Sequence, residues 1–387
     1  MESIAQKIDT NQNNTQSSLS VKLQRNQFLK ALSHSQGVVE KRTTVPILSH
    51  ILLEAFDDQL NLTATDLEVA IIETIAADVD SPGKVAIPAQ MMFDIVRKLR
   101  DESDIVLCVD TESNRIKLSS GKSEFKIPYL PADEFPVINS GKQPCKFNLP
   151  ASTLKDFMDK TRFAMSMEET RYFLNGIYLH AYQGKELRVV ATDGHRLAKA
   201  SSTMPKGAET MPGVIISRKT VNEVLKLTQD EVIDVEISLS ETQISFKFSD
   251  VFLTARLIDG TFPDYEKVIP QKNDKMILVD MDSFSESIDR VATISAEKNR
   301  GVKLSIQPSK MVISASSSDA GSASEEIDVE YEGSQFEIGF NSKYLLDIAQ
   351  QIGSDNAEFH CSDSSAPVMV KGQHDDECLY VLMPMRV

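Results

Sequence analysis

Apolar and polar residues alternate in short runs along most of the chain, and stretches with a helical period interrupt them. ILLEAF (51–56) and QLNLTAT (59–65), followed by the run ending at Ile75, read as half-buried strands joined by polar turns. In the window 282–295, Phe284, Ile288, Val291 and Ala292 fall at i, i+4, i+7 and i+8, which predicts one apolar helical face. No apolar run reaches the length that spans a bilayer, and no basic-then-apolar signal pattern opens the chain. Met1 to Ser18 are instead Gln/Asn/Ser/Thr-rich and read as a solvated polar tail.

The strand pattern repeats. ILLEAFDDQLNLTATDLEVAIIETI (51–75) and IYLHAYQGKELRVVATDGHRLAKAS (177–201) share a strand, a polar turn, a strand ending in Ala-Thr-Asp, and another strand. A weaker third copy spans 302–329, with Ser-Ser-Asp at the same place. Asp66 and Asp193 lie 127 residues apart, Asp193 and Asp319 126 apart, and Phe135-Pro136 returns 127 later as Phe262-Pro263. A period held at independent landmarks marks a repeat architecture. Each copy opens with a strand and an amphipathic helix, continues through hairpin strands to a second strand–helix unit, and closes with further strands. Polar turn formers near Ser140–Pro144 and Gln271–Asp274 divide the copies. The expected layout is a tail at 1–19 and domains at 20–143, 144–273 and 274–387. Each domain is expected to be α+β, with antiparallel sheets on one side and two helices on the other.

Hydrophobic residues make up 41% of the 387, which excludes a disordered chain. The formal net charge of -16 argues against a surface that grips nucleic acid everywhere. The six helix windows (24–36, 88–100, 151–166, 217–229, 282–295 and 342–352) nevertheless hold 13 Lys/Arg against 8 Asp/Glu. The rest of the chain holds 28 against 49. The helices are thus net basic within an acidic chain, a bias compatible with weak, sequence-independent phosphate contacts. Cys108, Cys145, Cys361 and Cys378 show no Cys-x-x-Cys spacing and no clustering with His, which fits a reducing cytoplasm. Cys108, inside IVLCV, reads as a core residue.

Three motifs carry candidate chemistry. Asp193 and His195 stand close in Thr192-Asp193-Gly194-His195-Arg196-Leu197, but no nucleophile elbow or metal-ligand spacing accompanies them, so a structural turn is favoured over catalysis. Gly121-Lys122-Ser123 echoes a phosphate loop, yet the Gly such a loop needs five positions earlier is Ile116, and the tripeptide reads as a hairpin turn. The terminus Met383-Pro384-Met385-Arg386-Val387 is either a last strand tucked into the core or a set of adaptable thioether walls for an apolar pocket.

From Ser20 to Val387 the chain resembles the bacterial DNA polymerase III beta subunit family, the sliding clamps. The resemblance is carried by ATDGHRLA (191–198), RYFLNGIYL (171–179), FPDYEKVIP (262–270) and VLMPMRV (381–387). It implies three sliding-clamp domains and a homodimer closed head-to-tail into a ring, sheets outside and helices lining the hole. It also implies a non-catalytic processivity factor without cofactor or metal. The implied partners are encircled double-stranded DNA, the DNA polymerase III alpha subunit, the clamp loader complex, and other polymerases and repair proteins. Motif by motif, the implied peptide groove comprises Leu174, Thr192, Gly194, His195, Arg196, Leu197, Pro263, Lys267, Val268, Tyr344, Val381, Met383, Pro384, Met385 and Arg386. Lys267 stands where the family often has Arg. The implied DNA contacts are Arg42, Tyr172, Phe173, Arg218 and Lys219. Glu168 departs from the neutral residue often found there, which puts the contribution of loop 166–170 in doubt. The implied dimer interface sets Met91 and Phe125 of one chain against Ile294, Glu297 and Lys298 of another.

Two other classes compete. A hydrolase using Asp193 and His195 lacks a nucleophile or cofactor motif. A repeat-built protein-interaction scaffold without a DNA role is disfavoured by the basic bias of the helices.

Overall fold

The computed structural model describes residues 19–40, 43–138, 141–228, 234–295, 300–318 and 320–386. Six α-helices lie among them: α1 (Arg25–Val38), α2 (Ala89–Lys98), α3 (Ala151–Arg162), α4 (Arg218–Leu227), α5 (Met281–Ala292) and α6 (Ser342–Ile352). Each begins directly where a strand ends, twice in every repeat. Two of the junctions are fixed by side-chain caps. Asp280 accepts the Ser283 amide (2.8 Å) at α5, and Asn341 accepts the Lys343 amide (3.0 Å) at α6. The face expected of α5 is the one buried, through Phe284, Ile288 and Val291.

The chain divides into two compact units, 1–152 with 222–257, and 153–221 with 258–387. The first holds a five-stranded sheet and an eight-stranded sheet. There α1 packs on α2 and on strands Gln59–Thr65 and Val69–Ala76, burying Phe28 and Leu32. The second holds a twelve-stranded sheet, with α5 packed on α6. All strand pairs among the described residues run antiparallel, as expected from the alternating pattern.

One pairing recurs in both units and joins successive repeats. In the first unit, Val251–Arg256, the last strand of the second copy, pairs with Val69–Ala76 of the first copy, with Phe252 opposite Ile72. In the second unit, Cys378–Leu382, the last strand of the third copy, pairs with Arg196–Thr203 of the second, with Val381 opposite Leu197. The central third of the sequence is therefore shared between the two units.

Two smaller readings resolve. Gly121 and Lys122 form a two-residue hairpin turn with Ser120 paired to Ser123, and Gly121 supplies the positive φ (+56°). Cys108 is exposed, against the expectation of a core residue. Its strand alternates, so Ile105, Leu107 and Val109 point inward and Cys108 faces out beside Lys117.

Candidate peptide-binding groove

The second unit concentrates most of the residues singled out in the sequence around one turn. The Asp193 carboxylate accepts the backbone amides of His195 (2.9 Å) and Arg196 (3.0 Å). The Thr192 hydroxyl accepts the Gly194 amide (3.1 Å) and donates to the Arg196 carbonyl (2.7 Å). This Asx-type bonding makes a tight reversal between strands, and Gly194 sits at its apex with φ +89°. A Cβ there would lie 2.6 Å from the Arg171 guanidinium, so a side chain would be strained by the backbone and would displace Arg171.

Arg196 is 8% exposed and acts as a strut. It donates to Asp193 (3.1 Å), to the Phe163 carbonyl (2.6 Å) and to Asp347 on α6, with its guanidinium 4.4 Å from the Tyr344 ring centroid. Buried charge is tolerated here because every partner is opposite or polar. Burial, followed by the Asp193 charge, raises the Tyr344 phenol above its ordinary value.

Beside the turn lies an apolar bed of Leu174, Val190, Leu197, Ile215, Phe262, Tyr265, Ile269 and Val381. The loop carrying Pro263, Lys267 and Val268 is anchored into this bed by Phe262, Tyr265 and Ile269. Val268 remains 41% exposed, and Lys267 is exposed and paired with Asp264 at 2.8 Å. The C-terminus follows the turn: the Met383 amide donates to the His195 carbonyl (2.9 Å), and the Met385 amide to that of Gly339 (2.9 Å). Met383 is 39% exposed, Pro384 and Met385 are half-buried, and Arg386 is exposed. An exposed Met, an exposed Val and an exposed His around a buried apolar floor describe a surface that accepts apolar side chains.

The same geometry removes the catalytic alternative for Asp193 and His195. The carboxylate is engaged by two amides and Arg196, and the His195 ring lies near Tyr344, 6.5 Å between centroids. No cluster of His, Cys, Asp or Glu suited to a metal lies among the described residues.

The residues expected to contact DNA fall less simply. Tyr172 is 54% exposed, with Phe173 edge-on beneath it (5.8 Å) and packed against the apolar bed. Arg218 donates to the Met165 and Ser166 carbonyls (3.0 and 2.8 Å), so it braces the loop preceding Tyr172. Lys219 is half-buried next to it. Arg42 lies outside the described residues. Glu168 pairs with Arg171 (2.6 Å), and that bond holds its carboxyl below the ordinary value. Its charge is thus matched locally and is not a bare acid on the loop.

The helix windows also differ once exposure is known. Arg25 is buried and donates to the Val96 and Arg97 carbonyls at the end of α2. The exposed face of α5 carries Asp282, Glu286 and Asp289, and its Arg290 is tied to Glu286 and Glu325. The basic excess therefore lies on α1 to α4, and most of it on α2 and α4. Of the interface residues, Met91 is 48% exposed on α2, Phe125 is half-buried on strand Ser123–Pro128, and Ile294 is half-buried just after α5. Glu297 and Lys298 lie outside the described residues.

The sequence did not single out Phe163, Arg171, Tyr265 or Asp347. Asp347 had a signal, one turn after Tyr344 on the same helical face; the Phe163 carbonyl had none.

Repeated α+β domains that pair end strand to middle strand, with an apolar surface beside the Thr192–Arg196 turn, define a clamp-type fold. Family models for the N-terminal, central and C-terminal domains of the DNA polymerase III beta subunit match residues 19–139, 148–264 and 266–386. The beta sliding clamp of Caulobacter vibrioides is 46% identical over 368 residues, covering 94% of this chain and 99% of the relative. Among solved structures, a Bartonella birtlesii sliding clamp bound to griselimycin is 45% identical with a TM-score of 0.93, covering 95% of this chain and 100% of that one. A Caulobacter crescentus sliding clamp is 44% identical with a TM-score of 0.90, covering 96% and 100%. The chain belongs to the DNA polymerase III beta subunit family and is a DNA sliding clamp. No helix among the described residues is long and apolar enough to cross a membrane.

Proposed function

We propose that two copies of this chain close head-to-tail into a ring around duplex DNA and tether a replicative polymerase through the groove, without catalysis or cofactor. The observation that carries the tethering is the Thr192–Arg196 turn bound to the chain terminus beside an apolar floor. Ring closure is supported by the repeat logic. Ser123–Pro128 ends its sheet, and Gly321–Asp328 pair only with Lys310–Ser317 on one side. These are the counterparts of the two strands that join successive repeats, so pairing them between chains would complete the pattern and remove both edges. Met91, Phe125, Ile294, Glu297 and Lys298 belong to that joint in this reading, with domain limits at 20–143, 144–273 and 274–387.

Duplex contacts fall to Arg42, Tyr172, Phe173, Arg218 and Lys219, the last two beginning α4, which helps carry the basic excess. The partners are the DNA polymerase III alpha subunit, a clamp loader complex, and other polymerases and repair proteins, in the cytoplasm. A modest groove with a few apolar anchors favours exchange among them.

Primer extension on long circular DNA, by a bacterial replicative polymerase with clamp loader and ATP, tests this. Long products that require both loader and protein, and that vanish on deletion of Met383–Val387, are expected. A verified dimer giving no gain with a compatible polymerase and loader overturns the tether.

A further inference from the structure

The wall of the groove is held from behind by a buried polar chain whose members do not line it. Tyr265 lies between Pro263 and Lys267, 5% exposed, with its ring in the apolar bed and its hydroxyl pointing away from the groove residues toward strands Gly176–Tyr182 and Glu186–Thr192. The hydroxyl meets His180 Nε2 at 3.0 Å and Arg188 Nη1 at 3.3 Å.

The proton positions follow from the partners. His180 Nδ1 lies 3.0 Å from the Ala181 carbonyl, which only accepts, so Nδ1 carries the hydrogen. Neutral His180 then offers Nε2 as an acceptor, and Tyr265 donates to it. Arg188 can only donate, and does so to the phenol oxygen. The chain runs in one direction, from guanidinium to phenol to imidazole to carbonyl.

Arg188 is itself fixed on several sides: 2.8 Å from Glu186, 2.6 Å from Glu266 and 3.2 Å above the Tyr182 ring. His180 stacks on Tyr178 (4.7 Å), and Tyr178 stacks on Phe262 (4.8 Å), the residue preceding Pro263. The start and the middle of the Phe262–Val268 loop are thereby referred to one pair of strands, Phe262 by stacking and Tyr265 by hydrogen bonds.

We propose that Arg188 and His180, acting through the Tyr265 hydroxyl, are positioning residues that set the Pro263–Val268 wall and so determine how tightly the groove holds its peptide. The inference rests on the groove reading above. A wall held to a fraction of an ångström is pre-organised for its ligand; a wall free to shift must be ordered at each binding event, at a cost in affinity.

The probe is griselimycin, which the Bartonella birtlesii clamp binds and which the groove reading places in this groove, with affinity measured by calorimetry and thermal stability measured in parallel on the full chain. Tyr265→Phe removes one oxygen and keeps the ring in the apolar bed. His180→Phe keeps the stack on Tyr178 and removes the acceptor. Each is expected to weaken griselimycin binding by about fivefold or more, with a faster off-rate. Arg188→Lys, which keeps the charge and loses the fork, should bind better than Arg188→Met. A purely structural role would lower the melting temperature of these variants without this graded loss of affinity. Wild-type binding with Tyr265→Phe and His180→Phe both within twofold of it overturns the positioning role. Absence of wild-type binding overturns the groove reading itself, and the inference with it.

Discussion

The turn Thr65–Val69 and the turn Thr192–Arg196 are two copies of one device, and only the second is built into a groove. Their bonding is the same: Asp66 accepts the amides of Glu68 and Val69 (2.9 and 2.7 Å) as Asp193 accepts those of His195 and Arg196. Thr65 donates to the Val69 carbonyl as Thr192 does to that of Arg196 (3.0 and 2.7 Å). The apex residues differ. Gly194 has φ +89°, while Leu67 holds φ +78° with its side chain 53% exposed. Val69 is a buried apolar residue where the second copy has the Arg196 strut. In the first repeat Phe135, the counterpart of Phe262, packs in a cluster with Ile47, Leu48 and Ala86. Thr and Asp fix the backbone of the repeat. The copies differ in the residues that follow, where the second has an apex without a side chain and an arginine that ties the turn to α6.

The largest break in the comparison is at the strut. Arg196→Met makes the second turn apolar at the position of Val69, but leaves Asp193 and Asp347 facing each other without their cation. Removing one partner of a buried ion pair costs about 3–5 kcal/mol. Chemical denaturation of the full chain should show the second unit losing about that much, with griselimycin binding abolished. A loss under about 1 kcal/mol would mean the strut is not the organising bond.

A smaller effect is expected from exchanging the apices. Gly194→Leu places a Cβ on Arg171 and forces a left-handed backbone on a branched residue, costing about 1–2 kcal/mol and displacing the Glu168–Arg171 pair. Griselimycin affinity should fall by about tenfold or more. Leu67→Gly relieves the same strain in the first copy, offset by the greater freedom of Gly when unfolded, so stability should rise by roughly 0.5 kcal/mol. An affinity unchanged by Gly194→Leu would show that the apex does not face the ligand.

The period of the strands, the paired helices of each repeat and the hairpin at Gly121 were legible because each rests on local spacing. The residues of the proposed groove came from short motifs, and the structure gathers Leu174, Leu197 and Val381 into one bed with Thr192–Arg196 and Met383 beside it. What sequence could not give was the far end of each long polar side chain. Arg218, expected at the duplex, also donates to two carbonyls; Arg25 counted as lining charge and is buried on the end of α2. Neither a carbonyl partner nor the half-turn that hides a residue leaves a mark on composition. Cys108 was misread for a simpler reason, an apolar run taken as all buried where the strand buries only alternate residues.

The finest contrast between the copies is their response to acid. Strand His50–Phe56 carries Glu54 opposite Asn61 and Lys84, and its counterpart carries His180 opposite Arg188. Burial acts on both by favouring the neutral form, with opposite signs for an acid and a base. Glu54 is raised from 4.5 by burial, with Lys84 opposing, so its contribution is fully present below 4.5 and is lost as pH rises through the folded value. His180 is lowered from 6.5, first by burial and further by the Arg188 charge, against the Ala181 bond and Glu266. Its contribution is present above 6.5 and is lost as pH falls through the folded value. Acidification below 6.5 should therefore weaken the second unit at His180; in the first unit His50, also lowered from 6.5 by burial, weakens it in the same way, and only Glu54 acts in the opposite direction. Hydrogen exchange resolved by peptide, read at several pH values, separates the two units. His180→Phe is expected to flatten the acid-side loss of protection around Tyr265 and leave strand His50–Phe56 unaffected. Glu54→Gln should do the converse, removing the gain of the first unit in acid. If both units lose protection together with either variant, the pH response belongs to the whole chain and the contrast between the copies fails.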